Sequence, residues 1–195
     1  LINPTSTHKT LDEAKKVAKE RSPNLINKEK EIEVTDEEAN KYVDKIKKYE
    51  GTGGIVIVDG KKYLKNYRLG NEKHITSGYG FYDKNNKEGG MVSEEQARKD
   101  LSRNIKLKLK GVKKNIKNFN SLSTNLKENI VASWYRGSLS GSPKTIRLIN
   151  EGKYKEASIE FLNNDEYKKA NKVKMSGVTK RMKDVSEALF KEGDK

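Results

Sequence analysis

The sequence predicts an α+β fold, a small β-sheet lobe and a helical lobe joined by a long helix. Three observations predict it. Apolar residues recur at helical spacing over 35–50, over 93–112 and through most of the chain after 122. Between the first two stretches, β-branched and aromatic residues bunch into short runs broken by Gly and Asp. The strands therefore cluster in one part of the chain instead of alternating with helices, which gathers them at one end of the molecule.

Composition narrows the function classes. A chain of 195 residues suffices for one domain in two lobes. With 42 Lys and Arg against 28 Asp and Glu, the net charge is +14, which attracts polyanions such as nucleic acid, an anionic membrane or an acidic cell wall. The lysines are scattered along every segment, so a generally solvated basic surface is expected and no specific nucleic-acid site. There is no cysteine, hence no disulfide and no thiol chemistry. With His8 and His74 as the only histidines, no metal site of the usual zinc kind and no cofactor are expected. No apolar run has the length of a membrane span. The first residues are polar and carry no signal-peptide core, and the chain starts at Leu1, not Met, which reads as a piece excised or released from something longer.

Residues 1–34, with Pro4 and Pro23, are expected to be an N-terminal arm or linker with a short helix over 10–20 (Leu11, Ala14, Val17, Ala18). The domain proper is expected over 35–195. In "TDEEANKYVDKIKKYEG", Thr35 and Glu38 form a capping box, and Ala39, Tyr42, Val43, Ile46 and Tyr49 share one face. Gly51 ends this helix, so Glu50 is its last side chain. "GGIVIVDGKKYL" is a β-hairpin turning at Asp59-Gly60. "HITSGYGFYD" supplies another strand with a tight turn at Gly78-Tyr79-Gly80. Ser93 and Gln96 cap the long helix, whose stripe is Ala97, Leu101, Ile105 and Leu109. Leu122, Leu126, Ile130, Val131 and Trp134 mark a helix ending near Gly137. Ser142 and Pro143 open another that stops at Gly152. "KYKEASIEFL", a polar stretch over 163–177 and "VTKRMKDVSEALF" complete the chain, and there are no internal repeats.

Two Gly-rich stretches carry no chemistry. "GTGG" at 51–54 lacks the Gly-Lys-Ser/Thr of a phosphate loop, and "GSLSG" at 137–141 has Leu where a nucleophile elbow needs Ser. The chemically suggestive feature is Glu50, a carboxylate at a helix C-terminus beside a small sheet. The negative end of the helix dipole raises its proton affinity and favours the protonated acid. Glycoside hydrolysis needs such a donor at the leaving oxygen, and a second group that activates water or stabilises the sugar cation.

In order along the chain stand Glu50-Gly51, a hairpin, Thr76-x-Gly78-Tyr79-Gly80, "GGMVSEEQARKDL", "LSTNLKENIVASWYRGSL", "SPKTIRLINEGKYKEASIEFL" and "SGVTKRMKDVSEALF". This set, covering about 35–193, resembles the phage-type lysozymes of the T-even and related endolysin class. The resemblance implies a lysozyme-like fold with a cleft between the lobes. It implies a muramidase that cuts the β-1,4 bond between N-acetylmuramic acid and N-acetylglucosamine in bacterial peptidoglycan, with inversion and without a cofactor. Glu50 would be the general acid and Asp59 the second carboxylate. Thr76 would hold the attacking water, and Gly78, Tyr79 and Gly80 would form a wall that binds the sugar.

One spacing departs from the family. Asp59 follows Glu50 at the family's distance, but sixteen residues separate it from Thr76 where the family has five. Either about ten residues are inserted between them, or "NYRLGNEKHIT" takes the family's place, with Leu69 at the Asp position and Glu72 as the nearest carboxylate. A third possibility is no second carboxylate, as in a single-Glu lytic transglycosylase. Trp134 is expected in the core. Tyr79 and Tyr82 fit either sugar stacking or sheet packing. The resemblance places Arg136 and Arg181 where helices face each other in the family, and His74 is expected on a surface strand.

The expected setting is a phage particle, as a tail or packaged lysozyme acting on the host wall beside other virion proteins, or the host cytoplasm before lysis. Two other classes remain open: a lysozyme-fold wall-binding or structural component without turnover, and, last, a basic nucleic-acid binder.

Overall fold

The computed structural model describes residues 32–68, 70, 73–173 and 176–195. The arm up to residue 31 with its expected helix, and Leu69 and Glu72, lie outside the described residues.

Thr35 caps helix α1 (Asp36–Asn40), its Oγ1 accepting from the N–H of Glu38 at 3.1 Å. The one helix expected over 35–50 is two. Tyr42 interrupts it: its N–H bonds back three residues to Ala39 O (3.1 Å), and its ring is buried with Phe119 6.5 Å away. Helix α2 (Val43–Lys47) then runs on, and Glu50 stands three residues past its end, its N–H still bonded to Ile46 O at 3.0 Å.

Strands β1 (Ile55–Val58) and β2 (Lys61–Lys65) pair antiparallel, with Val58 opposite Lys61. Asp59 and Gly60 are thus a two-residue turn with φ of 50° and 72°. Two positive φ values make it the I′ turn that suits strand twist. Strands β3 (Thr76–Ser77) and β4 (Phe81–Tyr82) form a separate ladder. Strand β5 (Met91–Ser93) adds to β2, giving the order β1-β2-β5. Strand β1 is an edge strand on which Ile55, Ile57 and Val58 are exposed.

Helix α3 (Glu94–Asn115) starts at β5, with Ser93 Oγ accepting from Gln96 N at 3.1 Å. Its buried stripe of Ala97, Leu101, Ile105, Leu109 and Val112 is the expected one extended by a turn. Each such Leu or Ile contributes roughly 1.5–3 kcal/mol of burial. The helix packs on β2, β4 and β5, and also on α1, α2 and the helix that follows. It therefore joins the sheet lobe to the helical lobe.

The helical lobe is α4 (Thr124–Arg136), α5 (Pro143–Asn150), α6 (Tyr154–Leu162), α7 (Asp165–Lys172) and α8 (Ser176–Glu192). Helix α8 packs on α4, α6 and α7, with Met182, Val185 and Leu189 buried beside Leu126, Ile130 and Phe161. Helix α7 lies in the stretch expected to be merely polar. Asn164 nucleates it by accepting from Tyr167 N at 2.8 Å, and Ala170 is its only buried residue, so it shows almost no apolar period. Ser142 precedes Pro143 as expected, but its hydroxyl donates to Ser138 O (2.9 Å) and does not cap α5. Trp134 takes the expected place in the core, 8 % exposed, against Gly111 of α3.

Candidate active site

Glu50 sits where the backbone leaves α2 for the hairpin. Its side chain is 21 % exposed, and it faces the helical lobe on one side and the β3–β4 turn on the other. From the helical lobe, Arg181 of α8 places Nη1 3.4 Å from Glu50 Oε1. The other guanidinium nitrogen, Nη2, donates to Tyr49 O at 3.0 Å. Burial raises the proton affinity of Glu50 above the ordinary carboxylate value, and the cations Arg181 and Arg136 act against that rise. A carboxyl that is half-sheltered, protonated more readily than usual and still open to solvent is suited to donating a proton.

From the sheet lobe, Gly80 comes up against the carboxylate. A β-carbon built on Gly80 would stand 3.4 Å from Glu50 Oε2, and its φ of 86° belongs to the left-handed region. Gly78 (φ 57°) serves the same turn for a different reason, since a β-carbon there would come within 2.8 Å of Ala97 Cβ in α3. The expected turn at Gly78-Tyr79-Gly80 is present, and it faces Glu50.

Thr76 leads into this turn and is buried at 4 % exposure. Its backbone is held on two sides, by Tyr82 in β4 and by a bridge to Tyr67 whose two N–H···O bonds are each 2.8 Å. Tyr67 in turn donates its hydroxyl to Gly51 O at 3.1 Å. The strand of Thr76 is thereby tied to the residue after Glu50. Gly53 makes the close approach possible: a β-carbon there would meet Lys65 O at 2.5 Å and Tyr67 Cβ at 2.7 Å.

Tyr79 is placed differently from the expected sugar wall. It is buried at 6 % exposure, donates to Glu94 Oε1 at 3.0 Å and lies under Lys47 Nζ, 4.8 Å from the ring centroid. Its ring packs between α2 and the start of α3. Tyr82 is the exposed tyrosine of the pair, its ring tilted against that of His74 with centroids 4.5 Å apart.

Asp59 occupies the hairpin tip, exposed, with its backbone in the left-handed region. Gly54, where the hairpin closes through Lys65 N at 2.9 Å, is five residues away, about 16 Å of strand. The structure brings Glu50, Gly80 and the strand of Thr76 together and sets Asp59 at the far end of the hairpin.

Two residues of α4 near Glu50, Tyr135 and Arg136, were not expected as a set. Tyr135 of α4 is pushed up to about 12 by burial and by the negative charge of Glu50, and it is hydrogen-bonded to Asn104 of α3. Arg136 pairs with Glu166 of α7 at 3.6 Å. Among the described residues no His, Cys, Asp and Glu cluster that could hold a metal ion is found. Nor is any helix there long and apolar enough to cross a membrane.

Residues 59–184 match the family model for Phage lysozyme, 126 of the 195 residues. The chain belongs to the phage lysozyme family. No curated protein and no solved structure matches it. As a phage lysozyme it is a peptidoglycan hydrolase of the muramidase type, and the α+β arrangement of a small sheet lobe, a long connecting helix and a helical lobe is that of a lysozyme-like fold. The matched stretch of this phage lysozyme contains Thr76, Gly78, Gly80 and Arg181 and begins at Asp59. Glu50 lies nine residues before it, so the place of Glu50 in the site rests on the geometry around its carboxylate.

Proposed function

We propose that this phage lysozyme hydrolyses the β-1,4 bond between N-acetylmuramic acid and N-acetylglucosamine, with Glu50 as general acid. The supporting observation is the setting of one carboxyl group. Burial raises the proton affinity of Glu50, Arg181 backs its carboxylate, and it faces a turn whose glycine leaves room at Oε2. Glu50 would protonate the glycosidic oxygen as the bond breaks. Arg181 would then stabilise the carboxylate that remains. Thr76, on the strand that leads to Gly80, would hold the attacking water. In this reading Asp59 is a turn residue and not the second catalytic carboxylate, and the water that Thr76 holds releases its proton to bulk solvent as its oxygen bonds to the anomeric carbon of the sugar cation.

The basic surface, net charge +14, favours association with an anionic wall. Action from a phage particle during infection and action from within the host at lysis would both bring the enzyme to the same bond.

Digestion of purified peptidoglycan by the parent and by Glu50→Gln tests the proposal, with fragments identified by mass spectrometry. Reducing-end muropeptides from the parent, and a loss of about 10²-fold or more in the variant, are expected. Anhydro ends would replace hydrolysis by transglycosylation at the same Glu50. A folded parent that binds wall and releases nothing would leave a binding component and overturn the reading.

A further inference from the structure

One buried cation touches Glu50, and a second carboxylate stands three residues from it on the same helix. Arg181 is 7 % exposed and lies on α8 three residues before Asp184, a spacing at which helical side chains meet. Its contact to Glu50 Oε1 is long at 3.4 Å, and its Nε is buried without a partner among the described residues. Tyr49 touches both Arg181 and Asp184. The guanidinium carbon of Arg181 lies 4.8 Å from the centroid of the Tyr49 ring, and the Tyr49 hydroxyl donates to Asp184 Oδ2 at 2.5 Å. The face of one ring thus carries the cation, and its hydroxyl engages the carboxylate nearest to that cation along α8.

We propose that Tyr49 is a positioning residue of the active site: its hydroxyl keeps Asp184 off Arg181 and so leaves the guanidinium for Glu50. A carboxylate and a guanidinium that can meet in a fork geometry form a strong pair. If Asp184 took Arg181 in that way, Glu50 would lose its nearest counter-charge, and burial would act on it opposed mainly by Arg136. Burial and the bond to Asp184 both hold the proton on Tyr49, which keeps it a donor. Other charged or titratable groups surround the pair. They are Arg136 and Tyr135 of α4 and Glu166 of α7 on the Glu50 side, and Lys45, Lys48 and Lys180 on the Asp184 side.

The inference rests on Glu50 being the acid, and its sign follows from that. An acid works while protonated, so activity falls as pH rises through its pKa. Losing Arg181 raises that pKa and moves the fall to higher pH. The test compares parent, Tyr49→Phe, Asp184→Asn and the double variant. It reads the pH profile of peptidoglycan cleavage and, on the same proteins, the titration of the Glu50 carboxyl by carbon-13 NMR. Tyr49→Phe is expected to move both upward by about half a pH unit or more. Asp184→Asn alone is expected to leave them in place, and the double variant to return to the parent. A shift that the double variant retains would make Tyr49 a packing residue only. No shift in Tyr49→Phe would mean that the freed Asp184 turns to Lys48 or Lys180, and either result overturns the proposal. A parent that does not cleave would remove Glu50 as the acid, while the titration would still decide whether Tyr49 governs its charge.

Discussion

Gly80 faces the carboxylate of Glu50 so closely that a single methyl group on it would lie 3.4 Å from Oε2. The contact joins the sheet lobe to the acid, and a methyl group there would lie against the oxygen that a sugar must approach. Gly80→Ala is therefore expected to lower turnover about tenfold or more. Its left-handed φ adds a stability cost of about 1–2 kcal/mol. Muropeptide release and a thermal melt on the same sample separate the two effects.

Gly78→Ala should divide its effects the other way. Its β-carbon would press on Ala97 at 2.8 Å and would also need a left-handed φ. Overpacking and backbone strain together cost about 2–4 kcal/mol, which lowers Tm by about 4–15 °C in a protein of this size. Activity per folded molecule, measured well below the melt, should change less than in Gly80→Ala.

Glu50 is a cost to the fold at neutral pH. Burial raises its proton affinity, so its folded pKa lies above the unfolded value near 4.5. For a group shifted in that direction, stability is greatest below the unfolded pKa and declines as pH rises through the folded one. Glu50→Gln, which cannot ionise, should therefore melt higher than the parent at pH 7. The difference should close as pH falls toward 4. An equal difference at both pH values would show that the carboxylate's charge is not what strains the site.

Glu94 works in the opposite direction. Lys47 at 3.0 Å, then Tyr79 and Lys62, hold its carboxylate charged, and its pKa falls to about 2. This stability is present above pH 4.5 and is lost as pH falls toward 2. Glu94→Gln should destabilise the sheet lobe at pH 7 by about 1–2 kcal/mol and should flatten the acid limb of the melting profile. Melts between pH 2 and 7 read both.

Asp59→Asn is expected to keep both activity and stability close to the parent's, because Asn tolerates the left-handed conformation of the turn. Loss of turnover in a folded Asp59→Asn protein would restore Asp59 as a catalytic carboxylate and remove its reading as a turn residue.

The parts of this architecture written in local sequence were legible. The caps at Thr35 and Ser93, the Asp59-Gly60 turn and the stripe of α3 are each decided within a few residues, and each stands where its signal lies. Tertiary contacts decided the rest. The break at Tyr42 depends on Phe119, far along the chain, and α7 depends on a cap with almost no apolar face behind it. The pairing of Arg181 with Glu50 spans 131 residues, so no spacing rule reveals it. For Tyr79 the resemblance implied a sugar wall while its own surroundings fitted packing equally, and the carboxylate that takes its hydroxyl is fifteen residues away on the next helix. Asp59 shows the reverse problem. Its eight-residue interval after Glu50 and its place before Gly60 suggest two roles, and only the backbone angles show the turn occupied.

The edge strand β1 has a bearing on how this protein behaves in a tube. Its isoleucines are open to water beside a row of unpaired backbone groups, a template on which a second copy could add. Lys61, Lys62 and Lys65 on the neighbouring strand, within a molecule of net charge +14, repel such a copy. That repulsion fades once salt shortens the Debye length to about 3 Å near 1 M. Colloidal stability should thus fall as ionic strength rises, and concentrated stocks should keep best in dilute buffer.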